Sequence, residues 1–229
     1  MTASFTGILL GLLVGIRHAF EPDHLTAVST LIGEARDGRR GALLGVIWGV
    51  GHTLSLVIVG GVLLIAGASL PESVAAGFEG AVSVMLVLLG VRSIVRAVRT
   101  EGAGRTTPHR HGPHVHVHAA AQAHLHVAGR VIAWRPLIVG LVHGLAGSGA
   151  LTALVFAELP TAALRIAYLA LFGVGSVAGM AIASGIAGVS LRAAAGRPGT
   201  RRTLSLVTGA LSVVVGCVWA VPMVSVLLG

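Results

Sequence analysis

The chain has 229 residues, 55% of them hydrophobic and 10% charged, with 33 glycines, a mean hydropathy of +0.91 and a formal net charge of +8. A soluble domain of this length needs a far more polar surface, so the composition excludes one and indicates packed transmembrane helices, in which glycine is common. All 16 basic residues are arginine and none is interleaved with aromatics, which argues against nucleic acid as a partner despite the positive charge.

A membrane span needs about 20 apolar residues to cross about 30 Å of hydrocarbon. The first candidate, roughly Phe5–Ile32, opens without a basic region or a cleavage signal and reads as a retained span rather than a signal peptide. Its interior carries His18-Ala-Phe-Glu-Pro-Asp23-His24. Charged groups at bilayer depth cost about 2.5–3.5 kcal/mol each on insertion scales, so they are seldom left there without a task. Imidazole plus carboxylate is a ligand set for divalent ions such as Ni²⁺, Co²⁺ and Zn²⁺. On an unbroken helix of 3.6 residues per turn, His18, Asp23 and His24 do not share a face. Pro22 cannot donate to the carbonyl of His18, so a break there is expected to gather the three and to leave that carbonyl as a further oxygen ligand. Arg17 and Glu21 are expected to pair or to balance charge around the site.

The second span, Gly41–Ala68, holds His52 near its middle, with Gly41, Gly45 and Gly49 spaced for close approach to another helix. His52 reads as a ligand or as lining of an ion path. The third span, Ser73–Val98, ends in Arg92, Arg96 and Arg99, which reach the interface by snorkelling. Glu79 in that span is given no role. Residues 99–135 form the one sizeable hydrophilic connection and carry His109, His111, His114, His116, His118, His124 and His126. Few large apolar residues occur there, so it is expected to be flexible and to capture or buffer metal. The fourth, fifth and sixth spans are Pro136–Leu159, Ala162–Leu191 and Leu204–Leu228. His143 lies in the fourth, beside the small residues Gly144–Gly149, and is a candidate for the same path. Cys217, the lone cysteine, excludes an internal disulfide and reads as a small packing residue.

Fourteen of the 16 arginines fall in or beside the first, third and fifth connections. The positive-inside rule then puts both termini outside and the His-rich connection in the cytoplasm. The chain also repeats itself. Gly15-Ile-Arg-His18-Ala resembles Gly140-Leu-Val-His143-Gly, Leu25-Thr-Ala resembles Leu151-Thr-Ala, and Trp48-Gly-Val-Gly-His52 resembles Phe172-Gly-Val-Gly-Ser176. Three spans separate the copies, so they cross the bilayer in opposite senses, as in transporters built from inverted repeats. The expected fold is an all-α integral membrane protein of six transmembrane helices in two inverted three-helix repeats, residues 1–98 and 136–229, joined by residues 99–135.

His18-x4-Asp23-His24 after Arg17, Gly51-His52-Thr53 and the Gly140–Gly149 stretch resemble the nickel/cobalt transporter family and its shorter urease-accessory-type members. The resemblance covers most of the membrane region. It implies transport of Ni²⁺ or Co²⁺ across the plasma (inner) membrane, with His18, Asp23 and His24 as essential ligands and His52 as a selectivity or pathway residue. It also implies a metallochaperone or nickel-enzyme maturation system as partner, no prosthetic group, and no enzymatic activity. Glu21-Pro22 stands where the family usually has Asp-Ala, and the Phe172 stretch lacks the acidic, threonine-rich signature of the longer members. Two other classes compete. An intramembrane enzyme would place its site at the interface near a substrate-binding region; a metal sensor or accessory protein would bind without flux.

Overall fold

The computed structural model describes residues 2–32, 37–67, 70–99, 107–111, 114–118, 125–127, 130–132, 134–145, 159–194 and 199–228. Among the described residues seven helices build the membrane body. They are α1 (Thr2–His18), α2 (Pro22–Ile32), α3 (Gly38–Ala66), α4 (Glu72–Arg99), α5 (Trp134–His143), α6 (Ala162–Ala194) and α7 (Thr200–Leu228). Four of them, α3, α4, α6 and α7, are long and apolar enough to cross a bilayer, and Leu9–His18 of α1 is a shorter apolar stretch. The protein is therefore an all-α, multi-pass membrane protein. The expected fourth span begins as α5, and residues 146–158, with most of the Gly144–Gly149 stretch and Leu151-Thr-Ala, lie outside the described residues.

The first span is two helices and not one. Phe20 N–H donates to the Arg17 carbonyl and Glu21 N–H to the His18 carbonyl, closing tight turns after α1. Pro22 disfavours helical geometry in the residue before it and suits the first position of a new helix, so α2 starts there. The His18 carbonyl, expected to be free, accepts a hydrogen bond from the Glu21 amide.

Small residues set the packing. Among the described helices α3 packs most extensively on α6 and α4 on α7, with α1 on α6 and α5 on α3 next. Gly41, Gly45 and Gly49 lie against Ser184, Met180 and Val177 of α6, where a Cβ would strike the facing chain. The contacts come in pairs that exchange roles between the two halves. Gly15 of α1 meets Phe172 and Ser176 of α6, while Gly140 of α5 meets Trp48 and His52 of α3. Gly175 meets Leu12 and Ile16, while Gly51 meets Leu137 and Leu141. Between α4 and α7, Gly90 meets Gly209 and Val213, and Gly216 meets Ser83 and Val87.

Large apolar side chains such as Leu43, Ile58, Val84, Leu88, Ile186 and Val218 face outward, while the fully buried set includes His24, His52, His143 and Asp23. Polar groups inside and aliphatic groups outside is the arrangement a lipid solvent selects. Cys217 is exposed on α7, so the expectation of a packing role is corrected.

Within the His-rich connection some of the described residues are paired as strands. It contains two antiparallel hairpins, β1 (Thr107–His111) with β2 (His114–His118), and β3 (Leu125–Val127) with β4 (Arg130–Ile132). The alternation His-Val-His-Val-His of β2 has the two-residue period of a strand and carries β-branched valines. In the first hairpin His109 is opposite His116 and His111 opposite His114. Of the seven histidines, His124 lies outside the described residues.

Candidate metal centre

The five sequence-selected residues, His18, Asp23, His24, His52 and His143, meet in the interior. Each arrives for a local reason. His18 is the last residue of α1, and Asp23 and His24 lie in the first turn of α2, so the three-residue joint folds the two ends of the motif back on each other. His52 sits in α3 between Gly51 and Thr53, where Gly51 admits the backbone of α5. His143 ends α5, the position that His18 occupies in α1. Gly144, next in the chain, lies against His52 and Ser55.

All five side chains are at most 3% exposed. The ring centroids of His18 and His24 are 4.2 Å apart, those of His24 and His143 also 4.2 Å, and His52 lies 5.1 Å from His18 and 5.3 Å from His24. The carboxylate of Asp23 bridges two imidazoles. Its Oδ1 is 3.1 Å from His24 Nδ1, and its Oδ2 is 2.8 Å from His143 Nε2. Glu21 Oε2 is 3.0 Å from His18 Nδ1, so Glu21 pairs with His18 where a pairing with Arg17 was one expectation. These contacts fix ring orientation, the service that carboxylates perform for metal-binding histidines.

What remains without a hydrogen-bond partner is as informative. His18 Nε2, His24 Nε2, both nitrogens of His52 and His143 Nδ1 are buried and unpartnered. Buried polar atoms normally find partners, so five such nitrogens in one cluster mark a site suited to a ligand. Ligand atoms of His18, His24 and His52 lie within 4.8 Å of one another, as do those of Asp23, His24 and His143. Bonds of about 2.0–2.1 Å put the ligand atoms of one tetrahedral ion about 3.4 Å apart, so either triad would draw in around an ion to hold it.

Sequence reasoning missed the aromatic walls. Trp48 packs on His24 and His143 at centroid distances of 5.5 and 5.8 Å, and Phe172 on His18 at 5.6 Å. Trp48 Nε1, Tyr168 Oη and Ser176 Oγ are also buried and unpartnered. The repeat contained the signal, since Trp48 and Phe172 hold corresponding positions four residues before His52 and Ser176.

Fold and site together define a multi-pass helical membrane protein with a histidine–carboxylate cluster in its interior. Over 215 residues, 91% of this chain and 88% of the relative, it is 29% identical to the urease accessory protein UreH of Bacillus sp. (strain TB-90). The resemblance to the urease-accessory type is thus borne out: the chain is similar to a urease accessory protein along nearly its whole length. No protein-family model and no solved structure matches the chain.

Proposed function

We propose that this protein carries a divalent transition-metal ion, Ni²⁺ or Co²⁺, across the plasma membrane through the cluster of His18, Asp23, His24, His52 and His143. The observation that carries the reading is the set of unpartnered ring nitrogens buried beside one carboxylate among membrane helices. Nitrogen-rich sites favour the later first-row divalent ions over Mg²⁺ and Mn²⁺. The reading is of a transporter and not of an enzyme, with a link to nickel-enzyme maturation that the name of the relative supports. The two halves are read as inverted three-helix repeats, supported by the role-exchanging glycine contacts and by half-helices that end at His18 and at His143.

Uptake of Ni²⁺ into proteoliposomes, with Co²⁺, Zn²⁺ and Mn²⁺ in competition, tests the reading. Saturable uptake inhibited by Co²⁺ far more than by Mn²⁺ is expected; no uptake by correctly inserted protein would sink it.

Orientation has its own test. In a Cys217→Ala background, a cysteine at Gly112 should be shielded from an impermeant thiol reagent in intact cells, and one at Glu72 should label. The reverse pattern would invert the topology.

A further inference from the structure

Resting on that reading, we infer that the cluster is two overlapping ion stations that share His24, occupied one at a time. The first consists of His18, His24 and His52, the second of Asp23, His24 and His143. In this arrangement the shared ring serves the two stations with different nitrogens. His24 Nδ1 is the atom beside Asp23, and Nε2 is buried without a partner. A neutral imidazole has one lone pair in its ring plane; the other nitrogen carries the proton.

An ion in the first station takes the lone pair of Nε2 and leaves the proton on Nδ1, where Asp23 accepts it. An ion in the second station takes Nδ1, and the proton then resides on Nε2. Occupying one station therefore removes a ligand from the other. Passage between them moves one ring proton from Nδ1 to Nε2 of the same residue, with no net proton gained or lost.

The stations differ in charge. Three neutral imidazoles offset none of the ion's two positive charges, whereas the second station supplies the carboxylate of Asp23. His18 and His143 each end a half-helix, one in each half of the chain, and their ring centroids are both 4.2 Å from that of His24, so the ion changes its escort from one half of the chain to the other. His52 then governs the first station and His143 the second, and flux needs both.

Co²⁺ titrated onto the purified full-length protein in nanodiscs tests this, with the visible spectrum reporting the ligand set. The seven histidines of residues 109–126 are replaced by alanine throughout, so that wild type refers to the intact cluster. The wild type should bind one Co²⁺ per chain. His52→Ala and His143→Gln should each still bind one ion, with spectra that differ from one another. Each should lose flux in proteoliposomes at least tenfold, and the double variant should lose binding at least a hundredfold. His52→Asn and His143→Asn serve if either first choice fails to fold. Two ions per wild-type chain would overturn the proposal, as would either single variant losing binding as fully as the double. A wild type that binds one ion but moves none would defeat the transport reading alone, and the variant spectra would still decide between one station and two. A wild type that binds no Co²⁺ and no Ni²⁺ would defeat both.

Discussion

Asp23→Asn should leave the protein folded and inserted yet lower its flux by about 100-fold, while its metal affinity falls only about tenfold because His18, His24 and His52 still hold the ion. The substitution keeps the shape of the side chain and removes its charge. Asp23 is 2% exposed and is held by His24 on one oxygen and by His143 on the other. Loss of a group that only orients metal-bound histidines costs about 10–100-fold, so a loss at or beyond the upper end identifies the carboxylate as more than a support. An amide also donates, and its NH₂ would face a ring nitrogen that now has a donor opposite it. Calorimetric titration of Ni²⁺ on the purified variant, with uptake in proteoliposomes, measures both effects. Wild-type affinity together with wild-type flux in Asp23→Asn would remove the intramembrane metal site and leave the motif as a bend in a helix.

The second large effect is on assembly. Gly15→Leu and Gly140→Leu should each prevent accumulation of folded protein, and the alanine variants should lower the melting temperature in detergent by similar amounts. At Gly15 an added Cβ runs into the Phe172 carbonyl and the Ser176 amide; at Gly140 it runs into the Trp48 carbonyl and the His52 amide. Backbone cannot yield as a flexible side chain does, and overpacking costs about 1–3 kcal/mol or more. Matched losses at the two positions are the expectation if the halves are equivalent. Gly77→Ala is the control, because nothing lies within 4 Å of a Cβ placed there. If Gly15→Ala proved harmless while Gly140→Ala unfolded the protein, the equivalence of the two contacts would fail.

The chemistry was legible in the chain because lipid makes it conspicuous: histidine, aspartate and glutamate in an apolar run have few innocent explanations. His143 was legible only through its likeness to the His18 segment, since alone it is one histidine in a glycine-rich helix. The partnerships were not legible. Asp23 and His143 are 120 residues apart, and nothing local couples them. Glu21 could have faced Arg17 or His18, and the turn after α1 chose His18. The break at Pro22 was visible, but the fate of the His18 carbonyl depended on where the amide of Glu21 pointed. The hairpins in the His-rich connection were written in its alternation and were obscured by its lack of apolar bulk.

The position of the ligands along α1 and α2 bears on how such a cluster survives motion of the helices around it. His18 closes one rod, and Asp23 and His24 open the next, with Ala19, Phe20 and Glu21 as the joint. Side chains at a fulcrum travel little. A swing of α2 by about 10° would carry its far end at Ile32 about 3 Å, for a rod of 11 residues and about 16 Å, yet would move Asp23 and His24 by well under 1 Å. The lever arms reach toward the membrane surfaces while the imidazoles stay near the pivot. A chain arranged in this way can change shape at its periphery and keep the coordination distances of its centre.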